Sequence, residues 1–169
     1  MKFSRVWAMA SADTFDVPCI GEFVRSYLAT STVSVDPFAR NKRWATHTND
    51  LNPETNAEHH MDAASFMSML KERGVSADLV ILDPPYSMHQ AVTTYEGHGN
   101  MHQISRVKDL ARDILSPGGT ALHFGWNSTG LGLKHHMEMI ELMLVCHGGS
   151  HNDTICMAER RNGAQEVML

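Results

Sequence analysis

"VILDPPYSMHQ", residues 80–90, runs three apolar residues into an acid, two prolines and a tyrosine. Val80-Ile81-Leu82 has the character of a buried strand, which extends back to Asp78. Asp83-Pro84-Pro85-Tyr86 is an unusual turn to find at its end. Pro84 and Pro85 fix their φ angles and remove two N–H donors. The proline after Asp83 biases that residue toward an extended conformation. Tyr86 is therefore presented by a stiff turn at a strand end. A plain Pro-Pro turn would not need the acid and the aromatic as well.

That combination has a direct chemical use. A planar amine can stack on Tyr86 while a carboxylate or backbone carbonyl beside the ring accepts its hydrogens. Those hydrogen bonds shift the nitrogen toward sp³ character and free its lone pair to attack. A nucleobase amine is such a nucleophile once it is taken out of the stack.

Outward from this stretch, helices alternate with strands. Residues 18–29 place Ile20, Phe23, Val24, Tyr27 and Leu28 on one helical face, with Pro18 near the start. Residues 62–73 form a helix opened by Asp62 and stopped by Gly74. Residues 103–115 form another, and 133–138 a short one. Strands are expected at 32–35, 45–50, 78–82, 120–124, 139–146 and 153–160. Helices between strands imply crossovers and a largely parallel sheet. The last two strands, joined by HGGSHN, suit an antiparallel hairpin at one edge. The expected fold is α/β, doubly wound and Rossmann-like, in one domain over residues 1–169.

Composition narrows the function. With 169 residues, 43% of them hydrophobic, the chain can bury a core. Its apolar runs are far too short for a membrane span. The start, MKFSRVWAMASA, imitates a leader, but Ser4 and Arg5 interrupt its apolar stretch. Three widely spaced cysteines, Cys19, Cys146 and Cys156, suit a reducing cytoplasm. The net charge of −5 is low for a dedicated nucleic-acid binder. Eleven histidines include adjacent pairs, yet none has the spacing of a metal site, and no metal is expected.

In a doubly wound sheet, function sits at the carboxyl ends of the strands. Three acids fall there: Asp36 in VSVDPFAR, Asp50 in THTNDLNP, and Asp83. Three in succession suggest a ligand lying across the strand tips.

This ordered set resembles the S-adenosylmethionine-dependent amino methyltransferases, above all the small DNA adenine-N6 methyltransferases of phages and prophages. DPPY resembles their catalytic motif and VSVDPFAR their cofactor motif; the likeness spans residues 8–126. It implies a class I methyltransferase fold with S-adenosylmethionine as cofactor. It further implies that Asp36, Pro37, Phe38 and Ala39 lie near the methionine portion of the cofactor. ADTFDVPCIGEFVRSYL resembles the N-terminal motif around that same end, which brings in Thr14 and Phe15. Asp50 would accept from the ribose hydroxyls, with Leu51 against the adenine. Asp62 would contact the adenine amine, and Ala63 would supply a backbone N–H. Asp83, Pro84, Pro85 and Tyr86 would hold the target base.

Two departures stand out. The family follows Asp-Pro-Phe-Ala with a Gly-x-Gly turn, where this chain has Arg40, Asn41 and Lys42. Either the turn takes another shape, with Arg40 or Lys42 meeting the cofactor carboxylate, or cofactor binding is weak. No segment is large enough for a separate target-recognition domain either. Loop 87–104 is the candidate lid over the site, and Arg40-Asn41-Lys42-Arg43-Trp44 is the densest basic run. FGWNSTG, residues 124–130, offers Trp126 and Asn127 to a base pocket, or caps a strand-to-helix turn.

The expected activity is methyl transfer to an exocyclic amine, adenine N6 in DNA. The alternatives are guanine N2 in RNA, a protein amide, or a binding protein that kept the fold without catalysis. Association with DNA should be weak and salt-dependent, a homodimer being one way to lengthen the footprint. The setting is the cytoplasm of a bacterium or a phage-infected host.

Overall fold

The computed structural model describes residues 1–84, 101–131, 136–149 and 151–163. Among them are seven strands: β1 (Lys2–Trp7), β2 (Ser34–Asp36), β3 (His47–Thr48), β4 (Ala77–Leu82), β5 (Leu115–Gly125), β6 (Met137–Cys146) and β7 (Thr154–Arg161). The helices are α1 (Pro18–Leu28), α2 (Ala63–Glu72) and α3 (Met101–Ile114), with a 3₁₀ turn at Thr14–Asp16. One sheet joins all strands in the order β1-β6-β7-β5-β4-β2-β3. β7 runs antiparallel between β5 and β6, and every other pairing is parallel.

Each element follows from its residues. β4 is apolar throughout because both of its faces are covered. Val80 and Leu82 enter the core under α2 and α3, while Leu79 and Ile81 enter the core under α1. α1 opens on Pro18 and buries Ile20, Phe23 and Val24. Its Gly21 is required sterically: a Cβ there would lie 2.7 Å from the Phe15 carbonyl oxygen. That close approach lets the 3₁₀ turn dock on α1. α2 is capped by Asp62, whose carboxylate accepts from the Ser65 N–H, and the chain leaves it through Gly74 at φ +72°.

The α/β doubly wound expectation holds, with instructive differences. The closing hairpin exists, but not at the edge: β1 pairs in parallel beyond β6. β1 itself has no counterpart among the expected strands. The leader-like look of the N-terminus hides its alternation of half-buried Ser4 and Val6 with exposed Phe3, Arg5 and Trp7. The strand expected at 45–50 is only His47–Thr48, extended by a bridge from Asn49 to His59. Of the helix expected at 133–138, Met137 and Glu138 instead open β6, and residues 132–135 lie outside the described residues. No helix among the described residues is long and apolar enough to cross a membrane.

Candidate active site

From β2 the chain moves outward to β3, then crosses back to β4 on the other side of β2. The strand order therefore reverses between β2 and β4, where a doubly wound sheet opens its crevice. Asp36 ends β2, and Asp83 comes directly after β4. Asp36 is buried and accepts from the Phe38 N–H at 2.9 Å. Burial holds its carboxyl well above the usual carboxylate range, and the neighbouring charges of Asp83, Asp50 and Asp13 add to this. A carboxyl so placed gains from any cation brought beside it.

The turn after Asp36 resolves the missing glycine. Arg40 adopts φ +48°, the left-handed conformation that glycine would supply. The strain, on the order of 1 kcal/mol, is held by the surroundings. The Arg40 N–H donates to Asp50 Oδ2 at 3.1 Å, and the guanidinium donates to the Ala12 carbonyl at 2.9 Å. Lys42 is engaged as well, donating to Asp16 at 2.5 Å and lying over the Trp44 ring.

Asp50 is buried, and its other oxygen accepts from the Asn52 N–H at 2.9 Å. Burial raises its pKa, while the Asn52 and Arg40 N–H groups pull the other way. Each carboxylate oxygen keeps one acceptor position, so a neutral diol suits it. Leu51 beside it is partly exposed. Ala63 opens α2, so its N–H is one of the four that helix geometry leaves without an intrahelical acceptor.

One residue ties these segments together. Asn49 is fully buried; its amide donates to the Pro37 carbonyl at 3.2 Å and the Met61 carbonyl at 2.9 Å. Its side-chain oxygen accepts from the Met61 N–H at 3.1 Å. Its own carbonyl accepts from the Ala39 N–H at 2.9 Å. It thereby joins the β2 turn, the end of β3 and the entry to α2.

Phe15 is a core residue, stacked on Trp44 at 5.9 Å and edge-on to Phe124 at 5.1 Å. Thr14, in the same 3₁₀ turn, lines a second feature. This is a cavity of about 200 Å³ against the ends of β5, β6 and β7, lined by Thr14, Val17, Trp126, His147, Asn152 and Thr154 among others. No lysine, arginine or carboxylate lines it among the described residues. His147 bonds the Ala8 carbonyl through Nδ1 at 2.8 Å and Thr154 Oγ1 through Nε2 at 2.9 Å. A carbonyl only accepts, so Nδ1 donates to Ala8, and Nε2 shares a hydrogen bond with the Thr154 hydroxyl. Asp83 follows Leu79 and Ile81, which pack on this side of the sheet with Cys156; burial raises the Cys156 pKa and the Asp83 charge adds to it. Pro84 is buried; Pro85, Tyr86 and residues 87–100 of the expected lid lie outside the described residues.

No protein-family model matches the chain, and no curated protein matches it in sequence. Solved structures do match. The chain is similar to the N-methyltransferase NodS from Bradyrhizobium japonicum WM9 in complex with S-adenosylhomocysteine, at TM-score 0.56 and 11% identity, over 89% of each chain. It is similar to a putative S-adenosylmethionine-dependent methyltransferase from Streptococcus mutans, at TM-score 0.60 and 13% identity, over 87% of this chain and 49% of that one. TrmN from Thermus thermophilus matches at TM-score 0.57 and 12% identity, over 86% of this chain and 49% of that one.

The fold is that of the class I methyltransferases.

Within a class I methyltransferase fold, the acids at the ends of β2 and β4 flank the switch point. The charges of Asp83, Asp50 and Asp13 each act on buried Asp36 at the switch point. Asp62 is partly used as a helix cap. Sequence reasoning does not single out Asn49, Asp13, or the His147–Thr154 pair. Asn49 is in plain view in TNDLNP, but an amide beside an acid gives no sign that it bridges three loops. His147 and Thr154 flank the hairpin loop, and only the antiparallel pairing of β6 with β7 brings them together.

Proposed function

We propose that this protein transfers a methyl group from S-adenosylmethionine to an exocyclic amine, adenine N6 in DNA. The observation that carries this is Asp83-Pro84 directly after β4 at the switch point, where the Asp83 charge acts on buried Asp36. The class I fold supports methyl transfer, and the residues present fit the cofactor. Asp36, whose ionisation is disfavoured by burial, suits a cationic methionine end. Asp50 suits the ribose diol, while the Ala63 N–H and the outer oxygen of Asp62 suit the adenine. When bound, the cofactor supplies an already activated methyl group on a sulfonium, so the protein's task is alignment.

The chain's own groups would act on the acceptor. The Asp83 carboxylate and the Pro84 carbonyl accept from the amine, orienting its lone pair and drawing nitrogen toward sp³ geometry. Tyr86, after Pro85 in sequence, would stack on the base. The cavity beyond the 3₁₀ turn admits a neutral heterocycle, because its hydroxyl, amide and imidazole groups match polar ring edges without burying an unpaired charge. Nucleic-acid association, cytoplasmic location and any dimer are parts of the same proposal.

The test is incubation with methyl-labelled S-adenosylmethionine and DNA, followed by nucleoside analysis. Label should appear in N6-methyladenine, and Asp83→Ala should reduce it at least about a hundredfold while S-adenosylhomocysteine affinity stays near wild type. Label in RNA guanine or in protein would move the reading to that acceptor. Cofactor binding without transfer to any of these would leave a binding protein.

A further inference from the structure

An acidic chain that handles DNA needs a place to grip it, and the densest basic run does not offer one. Arg40 is bonded to Ala12 and Lys42 to Asp16, which leaves Arg43 exposed. The opposite edge of the sheet looks different. Among the described residues, β1 pairs with β6 on one side only. Its inner residues Val6 and Ala8 pack toward the α1 core. Its other face presents Phe3, Arg5 and Trp7, spaced roughly 7 Å apart along the strand. Phe3 is 62% exposed and Trp7 67%, and Met9 beyond them is 64% exposed. Exposed apolar side chains grouped on one face, rimmed by polar residues, are the kind of surface that interaction sites use.

The chemistry of the row is specific. Arg5 lies between the two aromatics, its Nε donating to Cys146 Sγ at 3.2 Å, so the guanidinium runs along the face. The residues of β6 in register with the row are Leu142, Leu144 and Cys146, none of them acidic. Glu141 belongs to the other face, held by Lys2 and Tyr27. Asp153, the nearby acid that acts on Arg5, accepts from the His147 N–H. The row also leads to the site. Trp7 stands against Gly148, where a Cβ would lie 3.3 Å from its Nε1. The chain then passes from Ala8, bonded to His147, into Ala10 and Ser11 of the cavity wall.

We propose that the Phe3–Arg5–Trp7 face of β1 is a docking platform for single-stranded DNA, with bases stacked on the two rings and a phosphate at Arg5, leading the strand toward the cavity. This rests on DNA being the methyl acceptor. Aromatic stacking tolerates any base, and a single arginine adds a salt-dependent phosphate contact. A duplex keeps its base faces covered, so the row favours an unpaired strand.

The experiment measures fluorescence anisotropy of a labelled mixed-sequence 12-nucleotide DNA strand, and of its duplex, against full-length protein over a salt series. The strand should bind tighter than the duplex. Phe3→Ser and Trp7→Ser should each weaken strand binding by about fivefold or more. Arg5→Ala should lower the salt slope by about 0.7. Melting temperature and S-adenosylhomocysteine affinity of each variant should stay at wild-type values. Unchanged strand affinity and slope in all three variants would overturn the proposal. So would a wild-type dimer that Trp7→Ser dissociates, since the row would then be covered by a second copy, and so would tighter binding of the RNA strand of the same sequence. The two readings fail separately. Methyl transfer to DNA that ignores these substitutions removes the platform alone; strand binding that depends on β1 without any methyl transfer removes the enzymatic reading alone.

Discussion

Acid should unfold this protein partly through one histidine. His123 lies in β5, paired with Leu82 on one side and Met157 on the other, and is 5% exposed. Its Nδ1 is buried without a hydrogen-bond partner. Burial, with a smaller contribution from the Lys108 ammonium, lowers its pKa to about 3. Lys108 on α3 is anchored by donating to the Gly130 carbonyl at 2.6 Å, and Glu159 on β7 accepts from the Leu131 N–H at 2.6 Å. The imidazole is therefore neutral in the fold, whereas in the unfolded chain it takes a proton near pH 6.5. Protons thus favour the unfolded chain: stability is complete above pH 6.5 and falls as pH drops from there toward 3. At pH 5 the loss is about 2 kcal/mol relative to pH 8. For a chain of this length that corresponds to a drop of roughly 4–8 °C in Tm. Asp36 and Asp50, with raised pKa values, act in the opposite direction over part of this range. The decisive quantity is therefore the difference between wild type and His123→Gln, which keeps a polar side chain that does not titrate there. Urea unfolding of both proteins at pH 8 and pH 5 should show wild type losing about 2 kcal/mol more. Parallel losses would mean that the buried imidazole is not kept neutral, and the reasoning fails.

Two further outcomes test the cofactor side. Arg40→Asn and Arg40→Val remove the same guanidinium contact, but only Asn accepts the left-handed conformation readily, so the Val variant should be less stable by about 1 kcal/mol or more; equal unfolding midpoints would show that φ at this turn stores nothing. Asn49→Leu leaves the Met61 N–H and two carbonyls without partners; it should cost about 3 kcal/mol in urea unfolding and weaken S-adenosylhomocysteine in calorimetry, and wild-type values for both would dismiss the bridging role.

The legible parts of this fold are those written in local sequence. α1, α2 and α3 announce themselves through apolar spacing, Pro18, Asp62 and Gly74, and their observed bounds differ little from expectation. β4 is readable because burial on both faces leaves an unbroken apolar run. β1 is illegible for the opposite reason. An edge strand with one open face carries Arg5 and Ser4 among its aromatics, and nothing local distinguishes it from a failed leader. β3 is shorter than expected because pairing depends on its neighbour β2, itself only Ser34–Asp36, and not on its own composition. SPGG, residues 116–119, reads as a stop between α3 and the next strand, yet β5 begins at Leu115 and absorbs it through a register irregularity against β4.

The site divides along the same line. Asp36, Asp50 and Asp83 can be found because each stands at or just past the end of its own strand, and topology alone then brings strand ends together. The glycine rule at residue 40 misleads for a physical reason. What the turn requires is a left-handed φ, and glycine is only the least strained way to supply it; two hydrogen bonds from Arg40 hold the same conformation with a full side chain. The cavity as a whole is out of reach of sequence: Trp126 and Thr14 can be named one at a time, but their meeting with His147 and Thr154, from segments far apart in the chain, cannot. Their meeting depends on β7 turning back between β5 and β6, a pairing that places Thr154 against Val145 and so next to His147. A motif can declare the chemistry of the acceptor nitrogen through the residues that touch it. The shape of the cavity beside the 3₁₀ turn is made by strand order.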